Sequence, residues 1–137
     1  MTQLKKQEFK RTNYEEALRY MNNAKETLKK AGKGGERYYK DKKYVKTACG
    51  TAYNGVLLAL DAWLTLKDVQ FPKGNHRKTI KFYQESLSKL DRRMLNDLDG
   101  VYHALHLDGY YDGILDSRII KIGFDTAYEL IDKIKPN

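Results

Sequence analysis

Asp99, His103 and His106 form the densest polar constellation in this chain. At helical pitch they share one side, next to a stripe of Leu98, Tyr102 and Leu105. A carboxylate one turn before a histidine, with a second histidine one turn on, could supply three ligands to a metal such as zinc. The fourth ligand is missing, as is a partner Glu-x-x-His on another helix. The same boundary position suits histidines that hydrogen-bond at the edge of a core. No metal or other cofactor is therefore expected.

Two further groups have a polar chemistry to offer. His76 follows Gly74 and Asn75 at a helix start, where it could touch a phosphate with Arg77 and Lys78 beside it. Its plainer role is to pack and hydrogen-bond across that loop. Tyr110 and Tyr111 stand between Asp108 and Asp112, and Tyr38, Tyr39 and Tyr44 are interleaved with Arg37, Lys40, Lys42, Lys43 and Lys46. Aromatic rings among cations can stack on single-stranded RNA or hold a protein surface. Tyrosines also seal the open end of a bundle with an apolar body and a polar tip. The chain lacks G-x-G-x-x-G, a P-loop, C-x-x-C and G-x-S-x-G.

The charge is uneven. The net value is +8, and residues 1–46 carry 14 Lys or Arg against 6 Asp or Glu, so the whole excess lies in the first third. Such a patch would speed encounter with nucleic acid or an acidic partner, or simply keep the protein soluble. Cys49, the single cysteine, is expected as a small buried hydrophobe in a reducing compartment. No apolar run is long enough for a signal peptide or a membrane span, so a cytoplasmic protein without membrane contact is expected.

The elements that must position these residues follow from periodicity. With 137 residues, 41% of them hydrophobic, the chain is expected to form one domain, with residues 1–12 as a polar lead-in. Its centre is the stretch 44–66, where Val45, Ala48, Cys49, Ala52, Val56, Ala59, Leu60, Trp63 and Leu66 fall on one helical face. Leu57 and Leu58 lie off that face, which predicts a helix covered on several sides. Ala48, Gly50, Ala52 and Gly55 would let another helix come close. Asp41 is its expected cap.

A first helix is expected over 14–31, capped by Asn13 and ended by Gly32. A third opens near His76. The pattern then continues to about residue 107, but one rod of that length would reach roughly 48 Å against roughly 36 Å for the central helix. A break near 88–92 is therefore expected, with Ser88 and Asp91 in capping-box form. A loop over 108–115 precedes a last helix capped by Asp116. The fold class is all-α, an antiparallel bundle of four to five helices.

This order of features resembles the HEPN domains of bacteria and archaea, in particular a small branch of short uncharacterised helical proteins. The resemblance covers about residues 13–134 and is carried by TACGTAYNGVLLALDAWL, GNHRKTIKFYQESL and HALHLDGYYDG. It implies a HEPN-like bundle, often a homodimer. Many members are metal-independent ribonucleases of toxin–antitoxin or defence systems, and others partner another protein without activity. The ribonuclease members use an arginine, four to six residues, then a histidine. Here the nearest forward pair in that region is Arg93 and His103, with nine residues between. His106 stands about where the family's arginine would be, and it lacks the permanent charge and fork of guanidinium. The expectation is a non-catalytic module for protein–protein interaction or self-association. The alternative is a divergent ribonuclease or RNA-binding module, with His103 and His106 as general base and acid.

Overall fold

A computed structural model describes residues 1–73 and 78–137. Five α-helices are present among them: α1 (Gln3–Lys29), α2 (Lys42–Leu66), α3 (Ile80–Leu90), α4 (Arg92–Val101) and α5 (Ser117–Ile131). A π-helical segment, Tyr102–Tyr111, continues α4, and a short 3-10 turn, Asp132–Ile134, continues α5. The fold is the all-α bundle that the periodicity predicts, and no helix among the described residues is long and apolar enough to cross a membrane.

α2 is the hub. It packs on α1, on α5 and on the π segment. Asp41 caps it by accepting a hydrogen bond from the Lys43 N–H at 3.0 Å. Val45, Ala48, Cys49, Ala52, Val56, Ala59 and Leu60 are buried as expected. The small residues do what their size allows. A Cβ on Gly55 would lie 3.0 Å from Tyr20 Cβ and 3.3 Å from the Ala17 carbonyl, so α1 crosses there against bare backbone. Trp63 departs from expectation: it is only partly covered, with Lys67 Nζ 5.2 Å from its ring centroid. Leu60 and Leu64, one turn apart, take the inner positions at that end of α2.

α1 starts eleven residues earlier than the sequence reading, at Gln3, with Thr2 as its N-cap. Asn13 is mid-helix, and its side-chain amide donates to the Phe9 carbonyl at 2.8 Å. Gly32 follows the helix end with φ +63°, the left-handed conformation that glycine adopts freely. The third helix opens at Ile80 under a Thr79 cap, and His76 lies outside the described residues.

The break after α3 falls where the length argument puts it. Asp91 alone makes the corner. It ends α3 with an extended backbone (φ −159°), and its carboxylate accepts the Met94 N–H at 3.0 Å to open α4. Ser88 instead donates to the Glu85 carbonyl within α3. Asp91→Ala is expected to cost about 0.5–2 kcal/mol of stability in urea unfolding, the usual worth of a helix N-cap.

Candidate binding strip

The helix does not stop at residue 107. It changes pitch at Tyr102 and runs to Tyr111 with the wider turns of a π-helix. In an α-helix a residue five positions on lies roughly 140° round the axis. In the wider turn, residues four and five positions on both flank the first. His106 is accordingly ringed from its own segment. Tyr102 lies 5.1 Å away and stacked, Tyr110 5.9 Å and stacked, and Tyr111 5.0 Å and edge-on. Tyr53 of α2 adds a fourth ring at 4.7 Å, also stacked.

Close approach to α2 fixes this segment. Gly109 is buried, and a Cβ there would fall 2.5 Å from Cys49 Sγ. A Cβ on Gly50 would fall 2.8 Å from the Tyr110 ring. Beyond the tyrosines, Gly113 turns with φ +63° under the aliphatic stems of Lys42 and Lys46. Lys42, Lys46, Gly50 and Tyr53 thus form one stripe of α2 that lies along residues 106–113. The result is a continuous strip with an aromatic middle and an end of mixed charge, where Lys42 shares a hollow with Asp108, Asp112 and Asp116. Tyr110 and Tyr111 remain 44% and 61% exposed on it.

Burial is the cause of the titration shifts in this region. It lowers the His106 pKa below its ordinary value of 6.5. Burial first, then Tyr102, pushes the Tyr53 phenol up to about 12, and burial alone pushes the Cys49 thiol up to about 12. Cys49 is therefore held as a neutral thiol inside the core, as its type suggested.

The His106 shift has a testable sign. Burial favours the neutral imidazole, so the folded state resists protonation more than the unfolded chain does. The stabilisation is complete above pH 6.5 and is withdrawn as pH falls from there through the lower folded pKa. Melting temperatures measured between pH 7.5 and 5 are expected to fall more steeply for the wild type than for His106→Gln (roughly the histidine range).

The three-ligand arrangement does not form. Asp99 belongs to α4, and its carboxylate accepts a hydrogen bond from the Gln84 side chain of α3 at 2.8 Å. His103 is exposed, with its ring edge-on to that of Tyr102 at 6.0 Å. His106 is half-buried among tyrosines. The single-sided wheel assumed α pitch throughout, and the π turns rotate His106 out of it. Among the described residues no group of three His, Cys, Asp or Glu could hold a metal ion.

The remaining candidates are dispersed. Lys78 is engaged by Asp61, which also accepts the Tyr83 hydroxyl at 2.8 Å. Burial and that carboxylate raise the Tyr83 pKa. His76 and Arg77 lie outside the described residues. Arg37 is bonded to Asp116 at 3.2 Å and lies over Tyr38. Lys43 lies over Tyr44, 4.7 Å from its centroid. The structure therefore unites Lys42, Lys46, His106, Tyr110 and Tyr111, and leaves Asp99, His103, Lys43 and Lys78 elsewhere. Tyr53 is the member that sequence reasoning missed. Its one signal was its place one turn beyond Gly50.

Residues 12–136 match the model of a family described as a domain of unknown function, DUF5618. Among solved structures the chain is similar to a protein of unknown function from Dyadobacter fermentans. The two are 38% identical with a TM-score of 0.78, over 91% of this chain and 94% of that one. No curated protein matches.

Proposed function

This chain belongs to the DUF5618 family, and we propose that it is a non-catalytic binding module that uses the tyrosine strip to hold a second copy of itself or another protein. The carrying observation is the presentation of Tyr110 and Tyr111. They are exposed rings on a stack that α2 holds rigid, so they lose little side-chain freedom on docking. His106, the half-buried histidine of the strip, has no carboxylate hydrogen-bonded to it among the described residues to orient a proton transfer. Kinship with HEPN bundles, a homodimeric state and a toxin–antitoxin setting are parts of the same proposal. The kinship rests on the helix order, the dimer and the toxin–antitoxin setting rest in turn on the kinship, and the missing Arg-x4-6-His spacing supports the silent branch.

Light scattering on the purified chain tests it. A dimer is expected at micromolar concentration, and Tyr110→Ala with Tyr111→Ala is expected to give a folded monomer. A wild-type monomer would overturn self-association. A second reading, RNA binding, is favoured by Lys42 and Lys46 standing at the end of the ring stack. It requires a low-salt gel shift of mixed RNA that Lys42→Glu with Lys46→Glu abolishes. RNA cleavage that disappears in a His103→Ala, His106→Ala double variant would overturn the non-catalytic reading.

A further inference from the structure

On another face, the end of α1, the connection over residues 32–41 and α5 enclose a groove of about 320 Å³. It adjoins a second hollow of about 300 Å³, and both are lined by Lys25, Leu28, Lys33 and Tyr39. Backbone hydrogen bonds hold the connection in place. Tyr39 N–H donates to the Leu115 carbonyl at 2.9 Å, and Ser117 N–H to the Arg37 carbonyl at 2.7 Å. The floor is apolar and aromatic, with Phe124 and Tyr128 of α5 facing Tyr39 and Leu28.

The charges around it are of two kinds. Lys29, Lys121 and Arg118 have carboxylate partners in Glu26, Asp125 and Asp116. Lys25 and Lys33 have none among the described residues. Their ammonium groups instead lie over rings, Lys25 at 4.7 Å from the Tyr128 centroid and Lys33 at 5.5 Å from that of Tyr39. A cation over a ring keeps most of its charge to offer, and the ring holds it at the rim. Each groove volume is at the lower end of the range for small-molecule pockets, and far below what a folded partner would need.

We propose that this groove binds a small organic anion: an apolar chain or ring laid on Leu28, Tyr39, Phe124 and Tyr128, with its single carboxylate, sulfonate or phosphate between Lys25 and Lys33. The two halves of the site ask for both properties in one molecule. Body alone leaves the ammonium groups facing water, and charge alone leaves the floor uncovered. Burial raises the Tyr39 phenol pKa further above its ordinary value of 10.0, so the ring meets the ligand uncharged.

Calorimetric titration of the full chain with decanoate, n-decanol and acetate, each below its aggregation limit, tests the proposal. Decanoate is expected to bind at least about tenfold more tightly than either other probe, and to weaken as salt is raised. Lys25→Gln with Lys33→Gln should weaken decanoate by about tenfold or more at unchanged melting temperature, and Lys25→Arg with Lys33→Arg should retain it. Tyr110→Ala with Tyr111→Ala should leave it unchanged, which separates this groove from the tyrosine strip. Equal binding of n-decanol would overturn the proposal by showing a merely greasy surface. Equal binding of acetate would overturn it as unspecific attraction, and so would no binding of decanoate.

Discussion

Leu105→Ala is expected to destabilise the bundle by about 2–5 kcal/mol, the range for removing a large buried side chain. Leu105 has no exposure at all and sits in the π segment facing α5. Its contact there is unusually close, because the facing residue is Gly123. A Cβ on Gly123 would lie 2.7 Å from Leu105 Cδ2 and 3.0 Å from Ala104 Cβ. The leucine therefore fills space that a side chain on α5 would otherwise use. Gly123→Ala alone should overpack the same point. With Leu105→Ala in place, the added methyl enters vacated volume. The double variant should be more stable than the sum of the two losses by about 1 kcal/mol or more, as contacting sites couple. Urea unfolding of the four proteins measures this. A cost below about 1 kcal/mol for Leu105→Ala would mean that the π segment does not pack as described.

Gly109→Ala is the second large effect, expected at about 1–3 kcal/mol of destabilisation from overpacking. The added Cβ would lie 2.5 Å from Cys49 Sγ, 2.6 Å from Cys49 Cβ and 3.2 Å from the Ala104 carbonyl. Cys49 is fully buried and has nowhere to retreat. Either the π segment backs away from α2 or its wide turns collapse. Both would carry the neighbouring Tyr110 off Gly50 and scatter the rings around His106. The near-ultraviolet circular dichroism of the tyrosines should weaken with the stability. Cys49→Gly removes both colliding atoms, so in that background the added cost of Gly109→Ala should shrink by about 1 kcal/mol or more. An unchanged cost in both backgrounds would show that the strain lies elsewhere.

Gly109 also marks where sequence reasoning stopped. A glycine inside a helical pattern can mean a turn or a close neighbour, and only the neighbour distinguishes them. Gly55 was legible, because it falls within an unbroken apolar pattern that had to be helix. Gly109 stands among Asp108, Tyr110 and Tyr111, which suggests a loop, and nothing local says that Cys49, sixty residues earlier, lies against it. The change to π pitch was hidden for the same reason. Any wheel drawn over Asp99, His103 and His106 presumes α geometry, and the metal triad followed from that presumption. The start of α1 was hidden differently. Residues 3–12 contain little apolar periodicity, yet Gln, Lys, Glu and Arg are good helix formers, and no glycine or proline interrupts them. The corner at Asp91 was legible from length alone, since a rod longer than its partner leaves apolar side chains uncovered. Which residue made the corner was not, because Ser88 and Asp91 are both competent caps.

That corner gives α3 and α4 a shared fate. They have no linker between them, so the last turn of one and the first turn of the other hang on a single carboxylate and its extended backbone. Loosening either releases the other, and their amides near the junction should exchange with solvent as one opening unit. A joint of this kind also resists added length. A residue inserted after Asp91 would separate the acceptor from the Met94 N–H that it serves, whereas the connection between α1 and α2 has glycines with which to absorb one.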